Sequence, residues 1–188
     1  NIEEIRRTIS KLPYQILNLG NYSFFGMKNL PSVTLVSKNI NIGNYCFSGS
    51  KNLQSVIFIG QESLNIGEHC FLNCSSLTSI LLQNESKQNM ILSKIIFDEC
   101  KSLTTVTLKS QSTIILHNEL FSGKNKLEKV SIIGNEIIIG DQCFYGCFTK
   151  EQSRNQSISI SRYSSKTTTS PVNKIINILN PHVNLYEI

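Results

Sequence analysis

Apolar residues recur along this chain at fixed offsets around a series of phenylalanines. Counting from Phe71 as zero, Leu64 and Ile66 lie at −7 and −5, Leu77 at +6, Ile80 at +9 and Leu82 at +11. The same five offsets hold Leu17, Leu19, Leu30, Val33 and Leu35 around Phe24, and Ile40, Ile42, Leu53, Val56 and Phe58 around Phe47. They hold Met90, Leu92, Leu103, Val106 and Leu108 around Phe97, and Ile114, Leu116, Leu127, Val130 and Ile132 around Phe121. Phe144 keeps the upstream half, with Ile137 and Ile139. A two-residue spacing of apolar side chains marks one face of a strand. Each unit is therefore expected to be a coil of two short strands, at −7/−5 and at +9/+11, with the phenylalanine turned inward between them.

The intervals between these phenylalanines are 23, 24, 26, 24 and 23 residues. A period in the twenties falls in the range of leucine-rich solenoids, so the fold class expected is a mainly β leucine-rich-repeat solenoid of about six coils. Glycine stands at −4 as Gly20, Gly43, Gly67 and Gly140, which suits a bend needing either positive φ or a close backbone approach. A second glycine recurs at +2, as Gly26, Gly49, Gly123 and Gly146, with Asn73 in its place once. Both types tolerate left-handed turns. One coil buries too little apolar area to offset its ordering entropy, so the coils must share a continuous core.

The ends depart from the pattern. In residues 1–13, Ile2, Ile5, Ile9 and Leu12 follow helical spacing up to Pro13, which suggests a short capping helix; the alternative is the tail of an earlier repeat, with Ile2 and Ile5 at +6 and +9. Residues 14–160 are the expected solenoid. Within it, residues 83–89 are an insertion expected to protrude as a polar loop, and Ile158 with Ile160 form a delayed second strand of the sixth unit. Residues 161–188 read as a Ser/Thr-rich loop followed by a degenerate seventh repeat, with Ile176 and Ile178, then Val183 and Leu185, as its strands.

Candidate chemistry is sparse. All six cysteines fall at two repeat offsets: Cys46, Cys70 and Cys143 at −1, and Cys74, Cys100 and Cys147 at +3. Repeat position explains them as buried free thiols acting as small apolar residues. His69, His117 and His182 sit on different units, with no recurring carboxylate and no phosphate-binding glycine loop, so no catalytic, metal or cofactor site is expected and the chain is read as no enzyme. The net charge of +5 is carried partly by Lys28, Lys51 and Lys101 at +4, with Lys124 and Lys126 nearby. Without interleaved aromatics or many arginines this reads as solvated corners and not as a nucleic-acid surface. No apolar run is long enough to span a bilayer. Initiator methionine, signal peptide and lipidation motif are all lacking, as expected of a piece of a longer protein. Asn21, Asn73, Asn84 and Asn155 begin Asn-x-Ser sequons; if the protein is secreted, Asn84 and Asn155 are the expected glycan sites, because both fall in predicted loops.

The outward position of the first strand, −6, carries Asn18, Asn41 and Asn65 and then Ile91, Ile115 and Ile138. With strands about 4.8 Å apart, the three isoleucines form a continuous apolar row and a candidate partner-binding site. The competing readings are that the tail folds over the row, or that strand propensity alone selected isoleucine.

The spacing Gly-x-x-Cys/Ser-Phe-x-Gly-Cys followed by Leu-x-x-Ile-x-Leu resembles the BspA-like, or treponemal-type, leucine-rich repeat family. Gly140-Asp141-Gln142-Cys143-Phe144-Tyr145-Gly146-Cys147 is the stretch most like its unit, and the resemblance covers about residues 14–148. Two features depart from the family's unit: no proline follows the +11 strand, and cysteine replaces the small residue at −1. The resemblance implies a non-catalytic protein-interaction module, displayed on a cell surface or outside the cell, where members bind host proteins or other cells. The alternative expectation is an intracellular structural or scaffold component, for example of a cytoskeletal assembly, which the free thiols favour.

Overall fold

The computed structural model describes residues 16–147 and 157–162, together with the backbone of Val172–Ile176. The proposed N-terminal cap, residues 1–13, lies outside the described residues. The strands in chain order are β1 Ile16–Leu19, β2 Ser32–Ile42, β3 Ser55–Ile66, β4 Ser79–Asn84, β5 Met90–Leu92 and β6 Thr105–Ser110. They continue with β7 Thr113–Leu116, β8 Lys129–Gly134, β9 Glu136–Ile139, β10 Ser157–Arg162 and β11 Val172–Ile176, and a short 3-10 turn covers Lys94–Phe97.

Each phenylalanine and its flanks form one coil, and consecutive coils stack in parallel register. The +9/+11 segments pair from β2 through β3, β4, β6 and β8 to β10, with Val56 beside Ile80, Ile80 beside Val106 and Val106 beside Val130. Ile158 and Ile160 sit beside Val130 and Ile132, so the delayed strand of the sixth coil forms as expected. The −7/−5 segments pair from β1 to β2 to β3, and separately as the three-stranded sheet β5-β7-β9. The second segment of coil 1 runs into the first of coil 2 as β2, and the second of coil 2 into the first of coil 3 as β3, which is why these strands are 11 and 12 residues long.

Inward alternation fills one core. The phenylalanine rings stack down its length, with centroids 5.3 Å apart for Phe24 and Phe47, 5.8 Å for Phe47 and Phe71, 5.7 Å for Phe71 and Phe97, 5.7 Å for Phe97 and Phe121, and 5.4 Å for Phe121 and Phe144. Offset stacking at this spacing adds to the burial of each ring. The loops around the rings are bonded coil to coil as well: the amide of Phe24 donates to the Cys46 carbonyl at 2.8 Å, and that of Phe47 to the Cys70 carbonyl at 2.9 Å. Buried backbone groups are thereby paired even outside the strands.

The −4 glycines answer a close approach and not a positive φ. A Cβ on Gly43 would lie 2.5 Å from the Asn21 amide nitrogen, and one on Gly67 would lie 2.6 Å from that of Asn44. Positive φ falls instead at −2, on Tyr22, Tyr45, His69, Glu119 and Gln142, and at +2, on Gly26, Gly49, Gly123 and Gly146 and also on Asn73 and Glu99. At the far end β11 pairs antiparallel with β10, with Ile176 beside Ile158, so this segment closes the sheet and does not begin a seventh parallel coil. The expected strands at Ile178 and at Val183 with Leu185 lie outside the described residues.

Candidate functional site

Strand alternation sends the −6 side chains outward, and the column they form differs between its two halves. Asn18, Asn41 and Asn65 lie in register on β1, β2 and β3. Their amides form a ladder: Asn41 Nδ2 donates to Asn18 Oδ1 at 2.8 Å and Asn65 Nδ2 to Asn41 Oδ1 at 2.7 Å. Ile91, Ile115 and Ile138 lie in register on β5, β7 and β9. Ile91 is 54% exposed and Ile138 47%, and Ile115 between them is half-buried by its neighbours. The described part of the tail, β11, pairs on the other sheet, so it does not cover this row.

Polar side chains border the row. Lys94 Nζ lies 2.7 Å from Glu119 Oε2 on the next coil, and the Thr113 hydroxyl donates to Glu136 Oε2 at 3.1 Å. Asn118 Oδ1 accepts the amide of Asp141 at 2.9 Å, repeating a contact made by Asn21 with Asn44 and by Asn44 with Glu68. These −3 asparagines clamp coil 1 to coil 2, coil 2 to coil 3 and coil 5 to coil 6, and the sequence does not single them out, because Glu68, Lys94 and Asp141 hold the same offset.

The cysteines behave as the interior residues their offsets predict. All six are free and buried. The thiols of Cys74, Cys100 and Cys147 donate to the carbonyls of Phe47, Phe71 and Phe121 on the preceding coil, at 3.1, 3.0 and 2.7 Å. Ser50 makes the same contact to Phe24 at 3.0 Å. Burial disfavours the thiolate and pushes Cys74, Cys100, Cys143 and Cys147 up to about 12, with Cys46 and Cys70 also raised. Such thiols are poor nucleophiles at neutral pH. Lys124, expected among the solvated corner lysines, occupies the same +3 column and is buried, while Lys28, Lys51, Lys101 and Lys126 are exposed.

The histidines stay apart: His117 is exposed, His182 lies outside the described residues, and His69 stacks on Tyr45 at 4.6 Å, as Tyr45 does on Tyr22 at 5.0 Å. This second ring column, at −2, leaves no sequence signal because its members are of different types. Among the described residues no group of three or more His, Cys, Asp or Glu could hold a metal ion, and no helix is long and apolar enough to cross a membrane.

The glycan expectation at Asn84 is corrected. Asn84 is 1% exposed and sits at the base of the insertion, not on its protruding part. Its Nδ2, the atom a glycan would occupy, donates to the Gln88 carbonyl at 2.9 Å, and its Oδ1 accepts from the Ser86 hydroxyl at 2.9 Å. The position is +13, where other coils place Ser37, Gly60, Ser110 and Gly134, all buried at the corner between strands. Reading that column would have flagged Asn84 as internal. Asn155 lies outside the described residues.

No curated protein and no solved structure matches this chain. The family model described as BspA type leucine rich repeat region matches residues 6–113 and 84–169, in six copies. That match spans most of the sequence, in the same number of copies as the coils built around Phe24, Phe47, Phe71, Phe97, Phe121 and Phe144. The chain therefore belongs to the BspA-type leucine-rich repeat family, whose repeats are generally non-catalytic protein-interaction modules.

Proposed function

We propose that this chain is a recognition module that binds another protein through the β5-β7-β9 sheet, and that it serves as an adhesion protein at a cell surface or outside the cell. The observation that carries the binding reading is the outward row Ile91, Ile115 and Ile138 on the β5-β7-β9 sheet, exposed at both ends and half-buried at Ile115. Leaving such a row in water forgoes about 25 cal/mol per Å² of apolar area, which a partner would recover. The surface location is supported by what the family resemblance implies. A second reading, an intracellular scaffold, is favoured by the six unpaired thiols, because proteins of oxidising compartments commonly tie cysteines into disulfides.

The test has two arms. Purified protein is applied to immobilised extracellular-matrix proteins and to intact cells, beside the variant Ile91→Asn/Ile115→Asn/Ile138→Asn, with circular dichroism to check the fold. Loss of retention in a folded variant supports the face, and equal retention of both proteins overturns it. Antibody labelling of intact against permeabilised source cells then separates the compartments: labelling only after permeabilisation removes the adhesion reading and leaves the scaffold.

A further inference from the structure

We infer that the isoleucine face pairs with the same face of a second copy, in one particular orientation. The inference rests on the reading of this face as a contact surface and names its occupant. What points to a second copy is the arrangement of charge around the row. Coil 4, which contributes Ile91, has Lys87 on the side where its strand begins and Lys94 on the side where it ends, both exposed. Coil 6, which contributes Ile138, has Glu136 and Asp141 at the corresponding sides, both exposed. The row is thus basic at one end and acidic at the other, with Ile115 between Thr113 and His117 in the middle.

Such a face is complementary to itself under one twofold axis. An axis running along β7 through Ile115, parallel to the strands, reverses the order of the coils and keeps the strand direction. Ile91 of one copy then meets Ile138 of the other, and Ile115 meets Ile115. Lys94 meets Asp141 and Lys87 meets Glu136, once in each direction. The alternative twofold, along the solenoid axis, sets coil 4 on coil 4 and coil 6 on coil 6, and so brings lysine to lysine and carboxylate to carboxylate. Like charges brought together in this way penalise the wrong arrangement. Coil 5 faces itself in the favoured arrangement, and its Glu119 carboxylate is already held by Lys94 at 2.7 Å within each copy.

Three short strands give a smaller contact than the roughly 800 Å² per partner of a standard interface. Pairing is therefore expected to depend on concentration. The experiment is sedimentation equilibrium of the whole chain across loadings from about 1 μM to about 1 mM, the span over which weak and moderate affinities are read. The expected result is a mass rising from one chain to two and stopping there. The folded variant Ile91→Asn/Ile115→Asn/Ile138→Asn should remain at one.

Charge reversal tests the orientation without touching the apolar row. Lys87→Glu/Lys94→Glu alone and Glu136→Lys/Asp141→Lys alone should each stay monomeric, while an equal mixture of the two should form a two-chain species, because every facing pair is again opposite in sign. A parent protein that stays monomeric at the highest loading overturns the proposal, as does a mass climbing past two, or a mixture of folded variants that fails to pair. The two readings separate cleanly. If the parent is monomeric yet the isoleucine variant loses a foreign partner, the second copy is wrong and the binding face stands. If the parent pairs and the isoleucine variant pairs equally, the contact lies elsewhere and the second copy on this face is ruled out, whatever the capture experiment gives.

Discussion

Coils 1–3 and coils 4–6 share an interior and differ on the outside. Both halves carry the same stacked phenylalanines and buried thiols at the same offsets. Outside, the first half presents an asparagine ladder at −6 and stacked Tyr22, Tyr45 and His69 at −2, whereas the second presents isoleucines at −6 and Glu119 and Gln142 at −2. Because the inward pattern alone satisfies the demands of the core, the outward columns are free to be specialised. An exposed isoleucine row on half of a solenoid is thus a property that folding does not require.

The largest expected effect probes the shared interior. The raised thiols of Cys74, Cys100, Cys143 and Cys147 stay protonated in the folded chain up to about 12. In the unfolded chain they ionise above roughly pH 8.5. Below that pH both states hold the proton and there is no dependence; above it the unfolded state binds fewer protons, so stability falls as pH rises toward 12. Each thiol adds to that loss across the window. Thermal melts at pH 7.5, 9 and 10 should show a steep alkaline loss. Cys74→Ala in one half and Cys147→Ala in the other should flatten the slope equally, and a flattening confined to one half would break the equivalence of the interiors.

Next in size is the aromatic column. Phe47→Ala and Phe121→Ala each remove a fully buried ring from the stack, one in each half, and should cost about 3–5 kcal/mol by denaturant titration. Phe24→Ala should cost clearly less, since Phe24 at the end of the described solenoid is only partly buried. Equal losses at Phe24 and Phe47 would mean that the end coil is covered.

The corner glycines give a smaller and sharper contrast. Gly43→Ala forces a methyl to within 2.5 Å of the Asn21 amide and should cost about 1–3 kcal/mol. At Gly20 the nearest group is the Ser23 hydroxyl at 3.6 Å, an ordinary contact, so Gly20→Ala should change the melting temperature little.

How much of this was legible in the sequence follows from what repetition reveals. The phenylalanine, leucine and cysteine columns are legible because one residue type recurs at one offset, and the rings stack on their own copies in the next coil. Contacts between different offsets and columns of mixed residue type are not legible: the −3 asparagine against the −4 glycine, the −2 column whose members include Tyr45, His69 and Glu119, and the +13 corner that buries Asn84. The glycine at −4 was seen, yet its cause could not be chosen until the distance from Gly43 to Asn21 was known. Of the site, the outward placement of Ile91, Ile115 and Ile138 followed from alternation alone. The flanking charges did not, because Lys94, Asn118 and Asp141 share the −3 offset but differ in type and sign, so no recurring residue marks them.

The smallest expected effect sets the outer columns directly against each other. Ile91→Asn/Ile115→Asn/Ile138→Asn places the residue of the first half on the strands of the second, where it can extend the same amide ladder, spaced as Asn41 and Asn65 are at 2.7 Å. Each exposed side-chain bond is worth about 0.5–1.5 kcal/mol, which offsets the lost strand propensity of isoleucine, itself within about 1 kcal/mol, so the melting temperature should move by only a few degrees. The reverse change, Asn18→Ile/Asn41→Ile/Asn65→Ile, should be equally mild for the fold and should create a second apolar row on β1, β2 and β3. If that new row recruits a partner as well as the natural one does, the isoleucines act by hydrophobicity alone. If only the natural row does, its flanking charges from Lys94 to Asp141 set the specificity, and the two halves differ in recognition as well as in surface.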